Sequence, residues 1–569
     1  MDRKTIIAFG LIILVFLLLP YYYKLFVPES SAPDSSRVQA TTQTGDSLGL
    51  GQQTPAAAVQ PAEAPPLAAA LDSGMFSLDS DPQSIVVETP LYRMVLSTRG
   101  AVLTGCRMKK YAGQADGNVE IIRSGSQENL NLVLYQNGQP LDLRSTRFAA
   151  DVKELRLGPG GIGAVTFAAR SPSGAVVEKK FQFSGDSYLI GLQASASGIT
   201  DLDSRYELYW GSGLAITEAD TAQDIYYSQA YALMGTELEK FNGKGDREMR
   251  GGAEGETHWV AQRSKYFEVA MRPTAGPAGG VKFGLEAQPL LGKHRPKVFS
   301  MALSMKDDLS GPGGEFTIYC GPLDRKLLTQ FHPQLEATMN WGWKIIEPFS
   351  KTILWALQTL HRVIPNYGVV LVVFSVLIKV LLWPLTAKST RSMSRMAALQ
   401  PKMKELQEKY KPNPERLNKA MMQLYKDEKV NPFSGCWPML LQMPLLYGLF
   451  IVFRSTIELR QAPFMLWIQD LSMPDVVAHL PFNVPMYGSA VAILPVAMGI
   501  TQFLMSKAMI TDPKQKFNVY FMPVFMVLIF NTLPSGLNLY YALFNLWSYL
   551  QQVMMKKQGL IPSLSSGGK

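Results

Sequence analysis

The sequence predicts a polytopic α-helical membrane protein of six spans that also carries a large β-sandwich outside the bilayer. Three observations lead there. Six apolar runs approach or reach the length of a bilayer crossing, about 17 to 25 residues, one at the N-terminus and five beyond residue 366. Between the first run and the others, apolar and polar residues alternate with a period of two, the pattern of half-buried strands. The loops joining the C-terminal runs divide by charge, basic on one side and acidic on the other.

The N-terminal element, residues 1–27, has Arg3 and Lys4 ahead of the apolar stretch Ile6 to Leu19, then Pro20, three tyrosines and Leu25 to Val27. It is read as an uncleaved signal anchor, because the apolar stretch runs on through aromatic residues suited to the membrane interface. A cleaved signal is the competing reading, since Ser30, Ser31 and Ala32 are small. Residues 28–74 are rich in Ala, Pro, Gln, Ser and Thr and hold few large apolar side chains, so they form a linker that cannot bury a core.

Residues 75–330 form the β-domain. Tyr188, Ile190, Leu192, Ala194 and Ala196 alternate with Leu189, Gly191, Gln193, Ser195 and Ser197. Phe299, Met301, Leu303 and Met305 alternate in the same way with Ser300, Ala302, Ser304 and Lys306. Gly158 to Gly161, Ser171 to Gly174 and Gly311 to Gly314 supply turns between such runs, and no helical pattern intervenes, which predicts a large β-sandwich.

Residues 331–560 form the membrane core. Trp341 to Val363 carries Trp341, Ile345, Ile346, Phe349, Ile353, Leu357 and Leu360 amid Lys344, Glu347, Lys351 and Gln358, an amphipathic helix suited to a membrane surface. Spans follow at about Tyr367 to Leu385, Cys436 to Phe453, Met486 to Met505, Phe517 to Leu533 and Gly536 to Met555. Between Lys388 and Gly435 stand eleven Lys or Arg against five Asp or Glu. The loop after Met505 holds Lys507, Lys514 and Lys516 against Asp512, whereas Ser455 to Pro485 holds Arg460 alone against Glu458, Asp470 and Asp475. The positive-inside rule then puts the basic loops and both termini, including the tail 561–569, in the cytoplasm. The β-domain falls in a periplasm, which implies the inner membrane of a Gram-negative bacterium. This position of the basic residues also argues against DNA as the partner behind the net charge of +9.

Within the loop at about 388–435, two charged helices flank a break at Lys411 to Pro414. Met396, Leu399, Met403, Leu406 and Tyr410 on one and Leu417, Met421, Leu424 and Tyr425 on the other could pair as a helical hairpin, leaving basic faces for anionic lipid or ribosomal RNA. Solvated faces with no partner are the other reading.

Enzyme chemistry finds no support. The five histidines, His258, His294, His332, His361 and His479, belong to no HExxH pattern, and neither GxSxG, a Walker loop nor an intramembrane Asp pair occurs. No cofactor or metal is expected. Cys106, Cys320 and Cys436 have no metal-ligand spacing. A bridge between Cys106 and Cys320 is open to them in an oxidising compartment, with two unpaired buried thiols as the preferred reading.

The informative residue is Lys379, inside the apolar run Val369 to Leu382. A lysine near mid-bilayer costs roughly 2.5 to 3.5 kcal/mol on insertion scales, so it faces protein or water, or else lifts its ammonium to the interface. Ser375, Gln442, Thr501, Gln502, Asn538 and Asn545 are polar residues in the runs that could share a cavity with it, or simply bond helix to helix. Pro438, Pro444, Pro495 and Pro523 disturb helix packing, and Met439, Met443, Met498, Met505, Met522 and Met526 offer adaptable apolar surface.

Several strings, in one order, make this half similar to the YidC/Oxa/Alb insertase family. They are WPLT (Trp383 to Thr386), LQPKMKELQEKY (Leu399 to Tyr410), KVNPFSGCWPMLLQMP (Lys429 to Pro444), ELRQAPF (Glu458 to Phe464), WIQDLS (Trp467 to Ser472) and PSGLNLYY (Pro534 to Tyr541). The anchor, linker and β-domain ahead of them resemble the Gram-negative branch, whose periplasmic domain is a β-supersandwich. The resemblance implies a non-enzymatic insertase for newly made membrane proteins. It implies a groove open to cytoplasm and lipid with a positive charge inside, usually arginine and here Lys379. Groove-lining and substrate-contact roles then fall on Ser375, Gln442, Met443, Leu446, Tyr540 and Tyr541, Leu446 standing where an aromatic is more usual. The Sec translocon, the ribosome and phospholipid are the partners it implies. A transporter would call for inverted repeats, which are not seen. A scaffold, in which the β-domain binds partners and the helices anchor it, would lose its function on deletion of about Ala32 to Gly321.

Overall fold

The structure is a computed structural model that describes residues 75–114, 117–122, 126, 128–307, 309, 313–411, 413–428, 437–484, 487–509 and 516–558. The expected anchor (1–27), linker (28–74) and tail (561–569), and the string 429–436, lie outside the described residues.

Alternation translates directly into inward and outward faces in the β-domain. In the strand Leu189–Ser197, Ile190, Leu192, Ala194 and Ala196 are buried while their neighbours are not. Val298–Met305 buries Phe299, Met301, Leu303 and Met305, and Ala302 as well. Among the described residues fourteen strands form one sheet and five form a second. The larger sheet folds back on itself: Tyr206, on Leu202–Trp210, meets Phe316, on Gly314–Pro322, edge to face at 6.2 Å, although several strands separate them in the sheet order. One long strand, Met249–Arg263, serves both layers. Its first half pairs with Ala278–Glu286 and its second with Gln229–Met234 and Phe267–Pro273. The register slips between Glu254 and Thr257, where Gly255 takes φ +141°, a value few other residues adopt.

The five-stranded sheet packs on this body through Tyr92, whose ring lies 6.3 Å from that of Tyr188. Lys179, on an inward phase of its strand, donates to the carbonyls of Gly100, Ala101 and Leu130, so its buried ammonium is fully hydrogen-bonded. Cys106 and Cys320 join the two sheets as free, buried thiols with their sulfurs 3.5 Å apart.

Ten α-helices are described. α1 (Thr221–Tyr227) lies within the β-domain, and α2 (Arg325–Phe331) leaves it, capped by Asp324, whose carboxylate accepts from the Lys326 and Leu327 amides. α3 (Glu347–His361) is shorter than the amphipathic segment read from the sequence. Pro348 in its first turn suits the fixed proline φ, and before it Gly342 takes φ +83°. α3 packs on α7 (Trp437–Ser455), where a side chain at Gly448 would lie 3.1 Å from Ile353 Cδ1. α4 (Tyr367–Ala398) runs through Pro384. α5 (Gln400–Lys409) and α6 (Pro414–Asp427) follow, with Asn413 capping α6 and an ion pair from Lys402 to Glu428 at 2.6 Å.

α8 (Ile493–Met509), α9 (Lys516–Phe530) and α10 (Ser535–Lys557) complete the bundle, α10 packing against α4 and α8. The run read as a span from Met486 is not helical at its start. Gly488–Ala492 is a strand paired with Val476–Val484, so the helix begins at Ile493. Among the described residues one helix, Tyr367–Ser392 of α4, is long and apolar enough to cross a membrane; Ile493–Ala508 and Val519–Phe530 are shorter apolar helices. Six spans therefore do not follow from helix length and composition. The strand shortens α8, α9 stops at Phe530, and α10 carries the buried polar residues Asn538, Asn545, Ser548, Gln551 and Gln552.

Candidate functional site

Lys379 is 6 % exposed. Its Nζ donates to Ser548 Oγ on α10 at 2.8 Å and sits 5.0 Å from the Phe544 ring centre. The side chain therefore turns into the bundle instead of lifting to an interface. One turn earlier, buried Ser375 donates to the Val372 carbonyl at 2.7 Å and accepts from Trp547 Nε1 at 3.0 Å. Two turns later, Thr386 exchanges hydrogen bonds with Gln551. Ser375, Lys379 and Thr386 lie four and seven residues apart, on one face of α4. Opposite them stand Trp547, Ser548 and Gln551 on the neighbouring face of α10.

Two polar stripes thus meet between helices that are otherwise apolar. Where a membrane excludes water, such groups are satisfied by one another, and they can exchange that bonding for a polar ligand at modest cost. Ser548, Trp547, Gln551 and Thr386 were not singled out from the sequence. The signal available was the spacing Asn538, Asn545, Ser548 and Gln552, which repeats at helical intervals.

The remaining expected residues divide. Tyr540 is buried, its ring 6.2 Å from Phe374 and 6.0 Å from Phe544, and its hydroxyl has no hydrogen-bond partner among the described residues. Tyr541 sets its ring edge-on to Phe530 of α9 at 5.1 Å. Leu446 packs against the apolar core, and Gln442 is half-buried. Met443 points outward and is 57 % exposed. Asn538 donates to the carbonyls of Phe530 and Leu533 and so ties α10 to the end of α9, whereas Thr501 donates to the Met498 carbonyl within its own helix.

A second polar centre, absent from the sequence reading, joins the core to the β-domain. Arg460, in the loop after α7, donates from Nε to Glu218 Oε1 at 2.9 Å and from Nη2 to the Ala112 carbonyl at 3.0 Å. Burial raises the Glu218 carboxyl above its ordinary value, opposed by the Arg460 charge. Nearby Lys265, pulled down by burial, keeps a fully buried Nζ with no hydrogen-bond partner among the described residues.

Two family models cover most of the chain. The YidC periplasmic domain matches residues 84–356 and the 60Kd inner membrane protein matches residues 359–560. A membrane protein insertase YidC of Chlorobium phaeovibrioides is 37 % identical over 83 % of this chain and 82 % of its own length. The chain belongs to the YidC insertase family. Another YidC, from Chlorobium luteolum, is 34 % identical over 97 % of this chain and 94 % of its own. A crystal structure of an active YidC insertase with its first transmembrane domain resolved covers 84 % of this chain and 94 % of its own, at 19 % identity and a TM-score of 0.34. YidC is a non-enzymatic membrane protein insertase of the inner membrane. The β-rich half is thus the YidC periplasmic domain, and the helical half is the part matched by the inner-membrane model.

Proposed function

We propose that this chain inserts newly made inner-membrane proteins through a hydrophilic, positively charged groove bordered by α4 and α10. The observation that carries the reading is the Lys379 ammonium, held inside the bundle by Ser548 and flanked by the Ser375–Trp547 and Thr386–Gln551 pairs. A short polar tail of a substrate, often acidic, is drawn to that charge. The adjoining apolar segment then passes the surface bearing Tyr540 and Tyr541 into lipid, with Gln442, Met443 and Leu446 of α7 contributing further contacts.

No covalent step is needed. An acidic tail moving outward is favoured when the cell interior is negative, by about 2.3 kcal/mol per charge per 100 mV. Lysine keeps the attraction but lacks the bidentate fork of arginine, so it acts on a substrate carboxylate as a point charge.

In this reading six spans, counting 1–27, place both termini in the cytoplasm and the β-domain in the periplasm. Nascent chains, the ribosome at the basic cytoplasmic faces of α5 and α6, phospholipid and the Sec translocon are the partners. The test is insertion of a single-span protein with an acidic N-terminal tail into proteoliposomes carrying wild type, Lys379→Arg or Lys379→Ala. Arg should retain insertion and Ala should lose it while remaining folded; normal insertion by Ala would remove the charge from the mechanism.

A further inference from the structure

Between α7 and α8 the chain builds an element that the insertion reading does not use. Val476–Val484 pairs antiparallel with Gly488–Ala492, and among the described residues no third strand joins them. Two-stranded hairpins are marginal in water without a surface to pack on. The first strand of this one shows seven of nine residues to the outside, on both faces, with Phe482 at 62 % exposure and Val476 and Val477 also exposed, while the second strand is half-buried and ends on buried Ala492. Residues 476–492 contain no Asp, Glu, Lys or Arg.

The second strand of the hairpin is held from its turn to its base. Asn531, just past α9, donates to the Tyr487 and Ala490 carbonyls at 2.8 and 2.6 Å and accepts from the Ala492 amide. Asp475 accepts from the Ile493 and Leu494 amides, capping α8, and from Trp467 Nε1 at 3.1 Å. Beside Trp467 the loop exposes Met465 and Leu466, the latter 76 % exposed at φ +56°. A left-handed leucine costs of order 1 to 3 kcal/mol, a strain not compensated by burial of its own side chain. Uncharged strands and an exposed apolar loop are thus fastened to the same ends of α8 and α9.

We propose that this hairpin and Met465 to Trp467 form a lipid-contacting platform in the headgroup and upper acyl region of the periplasmic leaflet. The proposal rests on the topology given above, which puts these helix ends at that surface. Unpaired strand edges exclude the hydrocarbon centre, where nothing would satisfy their amides and carbonyls, but the interfacial layer supplies water and ester groups. The lack of charge matches that layer, and apolar side chains entering it gain burial area, as with interfacial helices. A platform fixed rigidly to α8 and α9 would hold their ends at constant depth.

The test uses full-length protein in phospholipid vesicles, with an environment-sensitive dye on Phe482→Cys and, separately, on Leu381→Cys of α4. The unsubstituted chain reports background labelling. Nitroxide-bearing lipids, labelled at the headgroup, high on the acyl chain or near its end, act as quenchers. The proposal expects blue-shifted emission at position 482, quenched more by the two shallow labels than by the deep one. Water-like emission at 482, quenched by iodide alone, with acyl-chain quenching at 381 would overturn it and leave the spans standing. Blue-shifted emission at 482 without lipid quenching would also overturn it, in favour of contact between copies of the chain. If no lipid label quenches 381 either, the topology itself fails.

Discussion

Arg460 and Glu218 form a buried ion pair across 242 residues of chain, tying the loop after α7 to the β-domain. Removing one partner of such a pair leaves a charge in low dielectric, a larger loss than the pair's own net gain.

Arg460→Ala should therefore destabilise the protein by about 3 kcal/mol near neutral pH. Burial already raises the Glu218 carboxyl, and losing the arginine raises it further. The penalty falls on the carboxylate, so it fades as pH drops and Glu218 takes up a proton. Urea unfolding of the variant at acid and neutral pH checks this: an equal loss at both would rule out the uncompensated charge. The double change Arg460→Met with Glu218→Leu should recover most of the stability.

Glu268 gives an opposite pH signature. Burial pushes its carboxyl up from 4.5 to about 8, with one oxygen accepting from Thr338 Oγ1 at 2.8 Å and Arg263 opposing the shift. The folded state holds a proton that the unfolded chain gives up, so stability falls as pH rises from about 4.5 to about 8 and is level above. Glu268→Gln carries no such proton. Its stability relative to wild type should climb across that window in pH-dependent unfolding, and a flat difference would show that Glu268 is ionised in the fold.

Cys106 and Cys320 stand ready to bridge. Mild oxidation should remove two electrons and two protons from the pair, lowering the thiol count of the denatured protein by two and stabilising it by about 2 to 4 kcal/mol. Cys106→Ala should abolish both effects. An unchanged thiol count after exposure to oxidant would show that the buried pair is inaccessible.

Ser548→Ala removes the acceptor of the Lys379 ammonium. Leaving that donor unpaired should cost about 1 to 3 kcal/mol. Insertion of acidic-tailed substrates should fall less than in Lys379→Ala, since the charge remains, and Ser548→Thr should restore it. Equal loss in Ser548→Ala and Lys379→Ala would make the hydrogen bond, rather than the charge, the working feature.

Local pattern was legible in the order of residues alone. Alternation across Leu189–Ser197 marked its buried face, apolar runs marked the helices, and Lys379 stood out because a cation in an apolar run is costly wherever it points. Tertiary structure alone decided where Lys379 points, since its partner Ser548 is 169 residues away on a helix whose facing cannot be read from spacing. It also decided the hairpin. Short apolar runs suit helix and strand alike, and pairing with Val476–Val484, pinned by Asn531, settled Gly488–Ala492 as strand. The Arg460–Glu218 pair left no mark on either local pattern, because its stabilisation comes from burial that exists only once the two halves of the chain have met.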